Sequence, residues 1–229
     1  MRSKLTTAVS DLDEEGAARL VKALLDAGDD PTHILEACQE GMMHVGKRFE
    51  AGEYFVSDLM VAANLFKTTT VPLQALTTNG GETSRGKIVF GTVAGDIHNI
   101  GKDIVVGLLR GGGYAVFDLG IDAPAQRFVD AVKETGAAVV GLSGLLTLAY
   151  DSMRDTVSAL RAVDPAIKIM IGGGPMTAEV QQYTGADGWG ANAQAAVTLA
   201  DQWTERASRG HDTLAAGGVG KIMGKVGHE

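Results

Sequence analysis

The stretch KIVFGTVAGDIHNIGKDIV, residues 87–105, decides how the chain is read. An apolar run rich in β-branched side chains, KIVFGTV, stops at the polar loop AGDIHN, and a helical segment follows at about 101–111. A run apolar on both faces is what a strand buried inside a parallel sheet requires. The pattern recurs in YAVFDLG (114–120), AAVVGLSG (137–144) and IKIMIGGG (167–174), with helical segments at about 124–135 and 149–163 between them. Strand and helix alternating in this order, joined by right-handed crossovers, predict a doubly wound parallel sheet. Ligands of such sheets sit beyond the carboxyl ends of the strands. The informative loops all fall there: GDIHNIG after the first strand, SGLLT after the third and GGGP after the fourth.

Upstream the pattern is different. Residues 1–80 hold no convincing strand, and Leu20, Val21, Leu24 and Leu25 recur at helical spacing. Asp30 before Pro31 is a helix cap followed by a first-turn proline, which starts a helix through THILEACQEGMMHVGKRF. AGE at 51–53 ends it, and a further helix is expected over Ser57–Leu76, with Ser57 as its cap and Asp58 near the positive end of its dipole. A short helix at 3–10 completes a bundle. The expected organisation is an N-terminal helical domain at 1–80, a linker and candidate hinge at 78–86, a Rossmann-like domain at 86–208 and a flexible glycine-rich tail at 209–229.

Composition narrows the partners. With a net charge of −8 the chain offers no broad basic surface for nucleic acid or anionic membrane. It has neither an apolar membrane span nor a secretory leader, so a cytoplasmic location is expected. Its single cysteine, Cys38, has no partner for a disulfide or a zinc site and reads as a small buried apolar residue.

Known loop chemistries can be tested against GDIHNIGK. A P-loop needs four residues between its first glycine and the GK pair; five separate Gly95 from Gly101, and Asp103 stands where Ser or Thr belongs. GxGxxG and GxSxG are both absent, and one histidine with one aspartate falls short of a structural zinc site. A nucleotide phosphate at the helix beginning near Gly101 stays open, as does a loop histidine paired with an aspartate for local stability. What also fits is a metal that brings most of its own ligands: Asp96 on one ring nitrogen of His98 would leave the other to point outward.

At this point the residues resemble the cobalamin-binding domain of methionine synthase. Over about residues 5–205 they resemble the small corrinoid proteins of anaerobic methyltransferase systems. The family signature is DxHxxG, then SxL, then GG. Here it reads Asp96-Ile97-His98-Asn99-Ile100-Gly101, Ser143-Gly144-Leu145 and Gly172-Gly173, with 41 and 26 residues between the elements, as in the family. GMMHVGKRFEAGEYFVSDLMVAAN, 41–64, is similar to the helical cap of the same family, with Ser57 where relatives commonly carry proline.

The resemblance implies cobalamin bound base-off, with His98 as the lower cobalt ligand, Asp96 tuning it, and Gly101 letting the next helix approach the loop. Ser143 would hydrogen-bond the displaced base, Leu145 would pack on it and Thr147 would add a polar contact. Gly172, Gly173 and Gly174 would admit the nucleotide tail, although three glycines also make an ordinary tight turn. Trp189 is expected near that tail or, equally, in the core. Met42, Val45 and Phe49 share one helix face, with Phe55, Leu59 and Met60 nearby, and would cover the upper face of the corrin; a bundle core needs the same stripe. His44 could also approach that face.

The function implied is methyl carriage without catalysis by the chain alone. A Co(I) corrinoid would take a methyl group from a substrate-specific methyltransferase, and a second methyltransferase would pass it to tetrahydrofolate or coenzyme M. A reductive activator protein is a further implied partner, and the cap must move aside at each transfer. The donor, whether methoxylated aromatic, methanol, methylamine or betaine, is chosen by the partner enzyme. A cobalamin-sensing regulator and an adenosylcobalamin mutase subunit are the alternatives.

Overall fold

A computed structural model describes residues 1–74, 76, 84–174 and 176–215, without the side chains of Gln74 and 205–215. Four helices come first: α1 (Arg2–Ser10), α2 (Glu14–Asp26), α3 (Pro31–Glu50) and α4 (Val56–Gln74). Local chemistry sets their starts. The Asp13 carboxylate accepts the Gly16 N–H at 2.9 Å, and Asp30, ahead of Pro31, accepts the Thr32 N–H at 2.8 Å. The start of α4 differs from expectation, because Ser57 lies inside the helix. Asp58 supplies the bond instead, its carboxylate reaching back to the Phe55 N–H at 2.7 Å.

The second half alternates as β1 (Lys87–Thr92), α5 (Ile100–Gly111), β2 (Ala115–Asp118), α6 (Ala125–Thr135) and β3 (Val139–Gly144). It continues through α7 (Ala149–Val163), β4 (Lys168–Gly173), α8 (Ala178–Thr184), β5 (Gly188–Trp189) and α9 (Ala193–Ala215). All pairings are parallel and the strand order is β2-β1-β3-β4-β5, a Rossmann-like doubly wound sheet as expected. The order reverses between β1 and β3, so the loops after these two strands lie side by side at the switch point.

Period-two alternation divides the sheet between two cores. Val89, Val140, Leu142, Ile169 and Ile171 face the side covered by α6 and α7, with Phe128, Met153 and Leu160. Ile88, Phe90, Val139 and Met170 face α5 and α9. On that second side the core continues into the helical bundle, through Leu5, Ile34, Met42, Leu59 and Leu65. Two glycines one turn apart on α5 allow the close approach. A Cβ on Gly107 would stand 2.5 Å from the Ala63 Cβ, and one on Gly111 would stand 2.7 Å from the Met42 Cβ.

The far end of the expected linker is fastened to the sheet unit. The Arg85 N–H donates to the Gly113 carbonyl at 3.0 Å, and its guanidinium pairs with Asp201 at 2.9 Å. Residues 78–83 of the expected hinge lie outside the described residues. Of the expected tail, 209–215 continue helix α9 and 216–229 lie outside the described residues. Among the described residues no helix is long and apolar enough to cross a membrane.

Gly107→Ala is expected to destabilise the protein by about 1–3 kcal/mol in urea unfolding, as overpacking does. Adding Ala63→Gly to the same chain should recover most of that loss. A Gly107→Ala variant as stable as wild type would refute the tight seam between bundle and sheet.

Candidate cofactor site

The three motif elements meet along one line across the sheet. Parallel pairing sets Thr92 opposite Ser143 and Ser143 opposite Gly172, with Gly144 opposite Gly173 one step further. The loop after β1, the loop after β3 and the end of β4 therefore border one region.

Asp96 joins two of them. Its side chain is fully buried, and both oxygens are engaged. Oδ1 accepts the His98 N–H at 2.9 Å and lies 2.7 Å from the His98 ring Nδ1. Oδ2 accepts the Leu145 N–H at 2.7 Å and the Leu146 N–H at 3.1 Å, across from the other loop. Burial pushes this carboxyl up, but the backbone bonds from His98, Leu146 and Leu145 and the bond from the His98 ring outweigh it, holding the carboxyl at about 2. It is a carboxylate at any physiological pH.

His98 is oriented from both ends. The buried Thr92 hydroxyl donates to the His98 carbonyl at 3.0 Å, and Asp96 engages the ring. The side chain is 47% exposed, and its Nε2 has no partner among the described residues. Around it Ile97 and Ile100 on the first loop, and Leu145, Leu146 and Leu148 on the second, stand in solvent, Leu148 with 79% of its surface exposed. Asn99 and Thr147 are exposed. Asn99 occupies the position before α5, its carbonyl accepting the Asp103 N–H at 2.8 Å.

The glycines separate into two kinds. Gly173 has φ +115°, and a Cβ there would meet the Gly144 carbonyl at 2.9 Å, the Gly144 N at 3.0 Å and the Ser143 hydroxyl at 3.1 Å. A Cβ on Gly174 would come within 2.7 Å of the Leu145 carbonyl. At both positions a Cβ would crowd the backbone of β3 and its loop. Gly172 differs: the nearest atom to its Cβ position is the Gly190 carbonyl at 4.0 Å. Gly101 also opens on free space, with nothing within 4 Å of a Cβ placed there.

Ser143 is buried, and Trp189, half-buried on β5 opposite Ile171, packs against the core on the α6 and α7 side. Met42 and Val45, expected over the upper face, are buried in the core shared by bundle and sheet, as is Leu59, with Phe49 half-buried against it. The apolar side chains this region leaves in solvent are Met43, Phe55, Val56, Met60 and Val61; His44 is exposed as well.

Among the supporting residues that sequence reasoning missed, two flank the His98 loop. One is Thr92, hidden at the end of an apolar strand. The other is Lys102, only 3% exposed, whose Nζ lies 2.6 Å from Asp118 and 2.7 Å from Asp103, fastening the start of α5 to the end of β2. A lysine beside a glycine in a loop carries no local sign that it will be buried.

Comparison with known proteins agrees with this geometry. A B12 binding domain family matches residues 86–198, and a second B12 binding domain family matches residues 1–70. A dimethylamine corrinoid protein of Methanosarcina acetivorans is 38% identical, over 75% of this chain and 82% of the relative. A corrinoid protein of Desulfitobacterium hafniense is 35% identical, over 87% of this chain and 95% of the relative. Among solved structures, a cobalamin-binding protein from Desulfitobacterium hafniense DCB-2 is 40% identical, covering 89% of this chain and 98% of that one, with a TM-score of 0.69. The methanol:cobalamin methyltransferase complex of Methanosarcina barkeri contains a chain 25% identical, covering 88% of this chain and 78% of that one, with a TM-score of 0.77. The chain belongs to the family of B12-binding corrinoid proteins.

Proposed function

We propose that the chain is a methyl carrier that holds cobalamin base-off, with His98 as the lower ligand to cobalt. The observation that carries this reading is the Asp96–His98 pair, 2.7 Å apart, with Nδ1 turned to a buried carboxylate and Nε2 without a partner among the described residues at the carboxyl end of the sheet. An Nδ1–H donated to Asp96 fixes the tautomer, so the Nε2 lone pair faces outward. When bound, cobalamin supplies a cobalt centre that takes a methyl group from one methyltransferase and yields it to another.

The residues present fit such a group. Among the described residues no three of His, Cys, Asp and Glu converge on a metal position, so a metal at His98 has to bring its remaining ligands, as a corrinoid does. Ile97, Ile100, Leu145, Leu146 and Leu148 hold apolar area in water at a cost of about 25 cal/mol per Å². A broad apolar ring laid over them removes that cost. The open faces of Gly101 and Gly172 leave room for it and for its nucleotide tail, with the Ser143 hydroxyl beside that path. His98 would hold the group through Nε2, with the Asp96 carboxylate orienting its ring.

A methyltransferase that binds the methyl donor is the first partner, consistent with the likeness to a methanol methyltransferase complex and to a dimethylamine corrinoid protein. The acceptor enzyme using tetrahydrofolate or coenzyme M, and a reductive activator, complete the proposal.

His98→Ala should keep the fold, remove the imidazole signature from the visible spectrum and weaken cobalamin binding by at least the roughly 10–100-fold typical of losing a supporting group alone. An unchanged spectrum and affinity would sink the ligand assignment. The lowered Asp96 carboxyl contributes stability that is complete above the ordinary value of 3.8 and fades as pH falls through about 2. Asp96→Asn should therefore cost the apoprotein about 2 kcal/mol at neutral pH, with the gap from wild type narrowing between about pH 4 and 2. A gap unchanged with pH in urea unfolding would count against the ionised carboxylate.

The glycines give a paired test. Gly172→Leu should block cobalamin uptake while leaving the apoprotein within about 0.5 kcal/mol of wild type. Gly173→Val should strain the backbone and cost the protein about 1–3 kcal/mol whether or not cobalamin is present. Wild-type uptake by Gly172→Leu would overturn the placement of the tail.

A further inference from the structure

We infer that Asp122, in the turn between β2 and α6, is a positioning residue for the His98 loop; the inference rests on the reading of His98 as lower ligand. Asp122 grips that loop with two different groups. Its carboxylate Oδ1 accepts the Gly95 N–H at 2.8 Å, and its backbone N–H donates to the Asp96 carbonyl at 3.0 Å. On either side the same turn is laced to β1: the Thr92 N–H donates to the Gly120 carbonyl at 3.0 Å and the Ala123 N–H to the Thr92 carbonyl at 2.9 Å. Val93 and Ala123 add an isolated parallel bridge.

Asp122 makes both bonds from φ +52°, a left-handed conformation that costs energy for any residue with a Cβ. Glycine would sit there more cheaply but would bring no carboxylate. A short acidic side chain is among the few that tolerate this conformation, because it can bond locally, and here it bonds the residue just before Asp96. The side chain is exposed and belongs to neither hydrophobic core, so packing does not account for it.

The clamp matters because the Asp96 side chain must meet donors from two loops at once. Its backbone is held on one side by its own N–H to the Val93 carbonyl at 3.2 Å and on the other by Asp122. Gly95, with φ +82°, is a swivel immediately before it, and the Asp122 carboxylate locks that swivel. Without the lock the 94–95 peptide can turn, and the rotation passes through Gly95 to the Asp96 carboxylate and the His98 ring.

The test compares Asp122→Gly, which keeps the left-handed φ and the N–H donor but loses the carboxylate, with Asp122→Asn, which keeps an acceptor oxygen. Each is reconstituted with cobalamin and reduced to the Co(II) form, and the nitrogen splitting in electron paramagnetic resonance reports axial imidazole. Amide hydrogen exchange at Gly95 is followed in the apoprotein, with urea unfolding as the check on folding. Asp122→Gly should exchange faster at Gly95, show a reduced share of the nitrogen-split signal and bind cobalamin about tenfold more weakly. Asp122→Asn should restore all three. Wild-type Gly95 exchange and nitrogen splitting in Asp122→Gly overturn the inference. Absence of nitrogen splitting in the wild type, with Gly95 exchange still accelerated in Asp122→Gly, overturns the lower-ligand reading and leaves the clamp standing.

Discussion

A single buried carboxylate closes the functional end of the sheet. Asp96 brings a negative charge out of water, which is tolerable only where hydrogen bonds replace the lost solvent. Three backbone N–H groups and the His98 ring do so, and they come from the loops after β1 and β3. The same four bonds set the orientation of the imidazole and the course of the Leu145–Leu146 backbone, so neither loop can shift without disturbing the other. That dependence exists because β1 and β3 are neighbours at the point where the strand order reverses.

The bundle and the sheet are less separate than a two-domain description implies. Their apolar side chains form one continuous cluster, with α3 and α4 pressed into α5 at Gly107 and Gly111. Met42 and Val45 are buried in this cluster. Lifting the bundle as a rigid body would return that cluster to water. The exposed group at Phe55, Val56 and Met60 lies outside the seam and carries no such cost. The expectation that the cap moves aside at each transfer therefore has to be weighed against the area this core buries.

Much of the architecture was legible in the chain. The segments expected at 101–111, 124–135 and 149–163 correspond to α5, α6 and α7, since apolar periodicity is a property of neighbouring residues. Asp30 with Pro31 marked the start of α3 for a similarly local reason, as cap and first turn are adjacent in the chain. Ser57 misled because both Ser57 and Asp58 have side chains suited to capping, and the choice falls to whichever reaches the free N–H of Phe55. The pairing of Asp96 with His98 was likewise readable, being only two residues long.

The rest of the site depends on groups far apart in sequence. That Oδ2 of Asp96 meets Leu145 and Leu146, that Lys102 is buried between Asp103 and Asp118, and that Asp122 holds Gly95 could not be read from spacing. The triple glycine makes the same point: Gly172, Gly173 and Gly174 are identical letters, yet two face the backbone of β3 and its loop and one faces open space. Periodicity, caps and motif spacing were enough to name the elements, the family they resemble and the residues gathered at one end of the sheet. Which loop each oxygen meets, which glycine opens on free space and which apolar face is left in solvent was decided by strand order and packing, because those bring together side chains that the chain itself keeps dozens of residues apart.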